Sequence, residues 1–209
     1  MKKAKLIGML VLVVSILGAC SSNEKKVSVS KEDKISKSSS KKETTPKEKE
    51  TPKSEAGKRS NPVKFGETAT IKETFKDDSF KPYNGKISIS LSETKKGEEA
   101  WSLISQANQF NKPAPEGYEW ILVKAKLSVT DLESEDVKYR VYNSFQPFDA
   151  NGQSINQQNS FAVIPEPVFR GEIFKGGSVE GYFGFIAKPN EKVILEYKGN
   201  SADCYFSLN

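Results

Sequence analysis

A chain of 209 residues without a single histidine lacks the side chain most used for proton transfer near neutral pH. Serine–histidine–acid and cysteine–histidine relays are excluded, as are zinc and non-haem iron sites built on imidazole. Two cysteines, Cys20 and Cys204, are too few for a thiolate cage. Ser92 and Lys95 have the Ser-x-x-Lys spacing in which a lysine can activate a serine. That chemistry needs the serine at a helix start and further Ser-x-Asn and Lys-Thr/Ser-Gly elements. Here the Lys-Thr/Ser-Gly element is absent and the local alternation places Ser92 on a strand. Asp131, Glu133, Glu135 and Asp136 offer oxygen donors of the kind calcium takes, but no glycine turns the segment into a calcium loop. A solvated acidic loop is expected there. Neither this run nor Glu98-Glu99 forms a recognisable opposed pair for glycoside hydrolysis. No catalytic residue and no metal ligand is therefore assigned, and no cofactor is implied.

Aromatic residues carry the remaining chemistry. Tyr139, Tyr142, Phe145 and Phe148 are expected around one hairpin, where they form a candidate binding patch or complete the core. Tyr182, Tyr197 and Tyr205 are expected on outward strand faces. Cys204 alternates with Ala202, Phe206 and Leu208, so it should point inward as a small apolar side chain.

The start of the chain speaks to location. Lys2, Lys3 and Lys5 precede an almost wholly apolar run, LIGMLVLVVSI, which ends in Leu17-Gly18-Ala19-Cys20. A basic start, a short apolar run and small residues before a cut make a secretory signal over 1–19. The run is too short for a comfortable membrane span, which needs roughly 20 residues. Leu-Gly-Ala-Cys resembles the lipobox of bacterial lipoproteins. That resemblance implies cleavage between Ala19 and Cys20 and a diacylglyceryl group on the Cys20 sulfur. Two acyl chains at one point meet the two-signal requirement for stable anchoring. The expected location is the extracytoplasmic face of the cell membrane.

Residues 20–60 contain no Trp, Tyr or Phe and read SKSSSKKETTPKEKETPKSE through their middle. Such a segment cannot bury enough surface to offset its ordering entropy, so a disordered tether is expected. Its 41 residues would span roughly 35 Å as a flexible coil. The tether carries 12 basic and 7 acidic groups, whereas 61–209 carries 17 and 20. The basic pI thus comes from the signal and tether, and a nucleic-acid partner is not expected for the acidic domain.

Residues 61–209 alternate with period two. Ile87, Ile89 and Leu91 face one side over 86–94, and Ile121, Val123, Ala125, Leu127 and Val129 do so over 118–130. Val179, Phe183, Phe185 and Ala187 repeat this over 178–187. Shorter strands are expected at 68–72, 137–142, 144–149, 170–174 and 193–197, with turns at Asn84-Gly85, Asn151-Gly152, Gly176-Gly177 and Pro189-Asn190. Residues 98–110 have helical spacing and an acidic first turn, so a short helix is expected across one end. Many short strands and one helix argue for an antiparallel β-sandwich.

The long strand at 118–130, Asn151-Gly152, and the phrase FKGGSVEGYFGFIAKP over 174–189 resemble an extracellular domain of Gram-positive lipoproteins. The resemblance implies an immunoglobulin-like sandwich related to secreted mycobacterial antigens, with no catalytic residues to carry over. The functional expectation is a lipid-anchored, non-catalytic binding or accessory module. Its partner would be an envelope protein or a cell-wall polymer. The alternatives are a cell-envelope enzyme or a small-ligand or metal carrier.

Overall fold

The computed structural model describes residues 27–30, 56–158 and 160–208. The expected signal 1–19 and the cleavage and lipidation positions Ala19 and Cys20 lie outside the described residues. Among the described residues there are ten strands and one helix. They are β1 (Val27–Ser30), β2 (Thr68–Lys76), β3 (Pro82–Lys96), α1 (Gly97–Ala107), β4 (Glu119–Leu132), β5 (Tyr139–Val141), β6 (Phe145–Phe148), β7 (Gly171–Ile173), β8 (Ser178–Ala187), β9 (Ile194–Lys198) and β10 (Asp203–Ser207).

One antiparallel sheet has the order β1-β2-β3-β4-β8; facing it are β10-β9-β6 and the pair β5-β7. The inner faces bury Ala69, Ile71, Ile87, Ile89, Leu91, Val123, Leu127 and Phe183 against Tyr139, Val141, Leu195, Tyr197, Cys204 and Phe206. The chain is an antiparallel β-sandwich with one short helix. We call the end where β2 leads into β3 the upper end.

Central strand β4 shows why both faces matter. Its inner row, Ile121 to Val129, lies in the sandwich core as the alternation requires. Its outer face begins with Trp120 and Leu122, and these would face water bare. Helix α1 covers them with Ala100 and Ile104, joined by Ile186 of β8. The helix therefore lies on the outer face of the five-stranded sheet, not across the end as expected from the sequence.

Two expectations along β3 and the tether are corrected. Asn84-Gly85 is not a turn but part of β3, with Gly85 opposite Glu73. A Cβ at Gly85 would collide with the Asp131 carbonyl and the Phe75 ring, so glycine serves close packing there. The turn lies at 77–81 instead. Within the expected tether, Val27–Ser30 pairs antiparallel with β2, Val27 opposite Ile71 and Ser30 opposite Thr68. The packed domain also starts earlier than residue 61. Gly57 donates to the Asn61 carbonyl at 2.9 Å, and the Tyr205 amide donates to the Gly57 carbonyl at 3.0 Å.

Gly181 explains the glycine inside the 174–189 phrase. The segment through Pro167, Val168 and Phe169 crosses β8 here, with the Tyr182 amide donating to Pro167 at 2.7 Å and the Phe169 amide to Tyr182 at 2.8 Å. A Cβ at Gly181 would overlap the Val168 backbone. Because backbone cannot swing aside as a side chain can, Gly181→Ala is expected to destabilise by about 1–3 kcal/mol. Urea denaturation of the domain measures it; a change below about 0.5 kcal/mol would contradict the close-crossing explanation.

Candidate functional site

Burial along β2 continues past the expected strand end, and it places a carboxylate in the core row. Ala69, Ile71, Glu73 and Phe75 all face inward, and Glu73 is only 2% exposed. A buried carboxylate needs hydrogen bonds, and these come from the turn joining β9 to β10 and from the next residue of β2. The Asn200 amide donates to Glu73 Oε2 at 3.0 Å and the Thr74 amide to Oε1 at 3.2 Å. Alongside, Asn200 Nδ2 donates to the Thr74 carbonyl at 3.2 Å, and the Ser201 hydroxyl meets Thr74 Oγ1 at 2.7 Å. A Cβ on Gly199 would run into the same carboxylate, so the turn can seat only with glycine there. Glu73 thus ties the two sheets together at the upper end. Burial holds its carboxyl above the ordinary value of 4.5, outweighing the hydrogen bonds that favour the charged form.

Above this clamp opens a cleft of about 660 Å³. Phe75, Tyr139 and Tyr197 line its inner part, with the two hydroxyls 2.8 Å apart. Burial raises the pKa of both tyrosines, Tyr139 to about 12, so both stay protonated. Lys76, Asp78, Phe80, Lys138, Arg140, Tyr142 and Lys198 form the rim. Its size suits a small ligand or a protruding side chain.

The rim is built, not loose. Asp77 Oδ1 accepts the Ser79 and Lys81 amides at 2.9 and 3.0 Å, and Asp77 Oδ2 accepts the Tyr83 hydroxyl at 3.1 Å. These bonds, the Lys81 amide first, hold the Asp77 carboxyl below its usual range. The loop so formed carries Phe80 at φ 62, where non-glycine residues are rare, and leaves the ring 79% exposed. On the other side Glu172 accepts Lys138 Nζ at 2.8 Å and Arg140 Nε at 2.9 Å, and Tyr142 stands 64% exposed. Two exposed aromatic rings thus belong to one cleft.

The four residues of the candidate patch do not share a hairpin. Tyr139 is on β5, which pairs with β7; Phe145 and Phe148 are on β6, which pairs with β9. Tyr139 is buried, and Phe145 stacks on Phe183 with ring centres 4.3 Å apart and touches Phe169, Tyr197 and Phe206. Phe148 is half-buried at the far end of β6. Only Tyr142 is fully at the surface. The apolar core reaches between the two short pairings and recruits the rings that sequence spacing left ambiguous. Tyr197 is likewise buried rather than outward, while Tyr182 and Tyr205 are half-buried with their hydroxyls on Glu93 and Glu196.

Other motifs resolve into ordinary structure. Ser92 is an extra residue at a β-bulge between Leu91 and Glu93, and Lys95 is held by Glu99 at 2.6 Å and Glu93 at 3.0 Å. Those two carboxylates raise the Lys95 pKa, so it cannot serve as a neutral base. In the acidic segment, Asp131 pairs with Lys86, Glu133 binds Asn84, and Glu135 pairs with Lys175. The carboxylates diverge, and among the described residues no cluster of three or more acidic or cysteine side chains is placed to hold a metal ion. Cys204 is fully buried and its thiol is pushed up to about 12. Sequence reasoning missed Glu73 and Phe80. Running the β2 alternation two residues further would have exposed a glutamate in a core register.

No protein-family model matches the chain, and no curated protein matches it. Solved structures similar to it include the yjhA protein of Bacillus subtilis, at 15% identity and TM-score 0.41, covering 70% of this chain and 99% of that one. A secreted Mycobacterium tuberculosis protein, MPT63, matches at 13% identity and TM-score 0.41, covering 70% and 97%. An uncharacterized β-sandwich protein from Clostridium difficile 630 matches at 12% and 0.36, covering 76% and 100%. The sandwich assignment stands on the sheet pairings described above.

Two measurements check the site. The Glu73 pKa lies above its unfolded value, so the penalty for burying the charge is absent at low pH, and stability falls as pH rises from 4.5 through the folded pKa. Glu73→Gln removes that dependence. Its urea midpoint relative to wild type should therefore climb as pH goes from acid to neutral; a difference independent of pH would contradict the raised pKa. Phe145→Ala should cost about 1–3 kcal/mol, the loss of a partly buried ring packed against the core. Tyr142→Ala should stay within about 0.5 kcal/mol.

Proposed function

We propose that this protein is a lipid-anchored extracytoplasmic binding module without catalytic activity, and that its binding site is the cleft at the upper end of the sandwich. The supporting observation is the pair Phe80 and Tyr142. Two large rings stand exposed among the residues that line one cleft, one of them held in an unfavourable backbone conformation by the Asp77 loop. Exposed aromatics are what binding surfaces favour, since they supply area at low entropic cost. Ion pairs of Lys138 and Arg140 with Glu172 brace one side of the rim before any partner arrives.

The lipid anchor is Cys20, on the strength of the Leu17-Gly18-Ala19-Cys20 ending. Anchoring concentrates a weak binder near an envelope protein or wall polymer, which compensates for modest affinity. A nucleic-acid partner is disfavoured by the acidic balance of the domain.

Affinity capture from intact envelopes with the purified domain tests the site. Phe80→Ala and Tyr142→Ala together should weaken retention of the captured partner by roughly tenfold or more, while the fold persists. Capture unchanged by this pair would overturn the assignment. Cys20→Ala should shift the full chain from the membrane to the soluble fraction, and continued membrane association would overturn the anchor.

A further inference from the structure

The domain has two ends with exposed large apolar side chains. The upper end carries Phe80, Tyr142 and Phe174, at 79%, 64% and 48% exposure. Beside α1, toward the lower end, stand Phe110, Phe161 and Val163, at 78%, 88% and 51%. Asn111 pins that second group, its side chain exchanging hydrogen bonds of 2.9 and 2.8 Å with the Val163 backbone. Exposure alone does not say which end meets what. The direction of β1 does.

Strand β1 runs antiparallel to β2, so following the chain back from Val27 leads toward the upper end. Six residues separate Val27 from Cys20. Covalent geometry limits that leash to at most about 25 Å. From Ile71, which faces Val27, to Lys76 at the upper end of β2 is five residues, about 17 Å. In the opposite direction Ile71 faces Ile87, and β3 runs nine residues further to Lys96, about 30 Å, before α1 and Phe161 are reached. An anchor on Cys20 can reach the upper end but not the lower one.

We infer that, in the lipid-anchored protein, β1 shortens the tether to these six residues and holds the upper end, with Phe80 and Tyr142, against the bilayer surface. The inference rests on the Cys20 anchor proposed above. The partner surface is a lipid bilayer, met through aromatic rings at headgroup depth, where tyrosine and other amphipathic rings partition well. Charge steering is not required: Lys138 and Arg140 are paired with Glu172, and Lys175 with Glu135. A ligand entering the cleft would then come from the membrane surface, and the 41-residue spacer expected from the sequence would not lift the domain away.

The lipidated full-length chain in phosphatidylcholine–phosphatidylglycerol vesicles provides the test. An environment-sensitive fluorophore is attached through Phe80→Cys, Tyr142→Cys or Phe161→Cys. Cys20 is blocked by its thioether, and Cys204 is fully buried. Nitroxide-headgroup lipid should remove most of the emission from positions 80 and 142 and leave position 161 unchanged. Ser28→Pro with Val29→Pro removes adjacent N–H groups, one of which faces β2, and should abolish the loss at 80 and 142 without releasing the protein. Equal loss at 80 and 161, greater loss at 161, or insensitivity to the prolines would overturn the inference. A Cys20→Ala chain that still floats with the vesicles would instead show that the anchor reading itself has failed.

Discussion

A carboxylate placed in the inward row of a sandwich strand has to be satisfied from within the protein, and Glu73 imposes that requirement on the upper end of this fold. The β9–β10 turn answers it with the Asn200 amide, and can approach only because residue 199 is glycine. That contact joins the two sheets at the upper end. Tyr139 and Tyr197, one from each side of the facing layer, close the core beneath with their paired hydroxyls. The cleft is the space left above a polar clamp that cannot close further, so its shape follows from the need to hydrogen-bond one buried group.

Sequence periodicity was a good guide wherever one face is dry. The strands expected at 178–187 and 118–130 agree with β8 and β4 within two residues, because long period-two runs of Val, Ile, Leu and Phe have one way to be buried. It failed where tertiary contacts decide. Asn84-Gly85 has the composition of a turn, yet the glycine is there to let Phe75 and the Asp131 backbone come close. Phe145 packs against the core, one of its two expected places, but not in a hairpin with Tyr139, because its strand pairs with β9 and not with its sequence neighbour β5. Of the candidate patch only Tyr142 is fully at the surface, and sequence spacing does not separate it from the other three. Glu73 lies one residue beyond the strand expected at 68–72, and no spacing in residues 77–81 marks Phe80 as an exposed ring.

Charge and anchoring take on a different relation once β1 is in place. The lysine-rich stretch reads as a spacer by composition, and composition cannot reveal that four of its residues supply an edge strand. Val27–Ser30 also covers the edge of β2, which would otherwise present unpaired backbone groups to any passing strand. The same pairing that protects the sheet edge would set how far the domain could stand from the anchor proposed at Cys20. In that proposal, fold protection and orientation are two consequences of one short ladder.

Native-state hydrogen exchange at the amides of Val27–Ser30, measured on the Cys20→Ala chain in solution, tests that ladder most directly. Amides facing β2 should be protected well above free-chain rates while those facing solvent exchange fast, an alternation only a paired edge strand gives. Uniform exchange at free-chain rates across all four would contradict the pairing, restore the long spacer, and remove the reason for holding the cleft at the membrane.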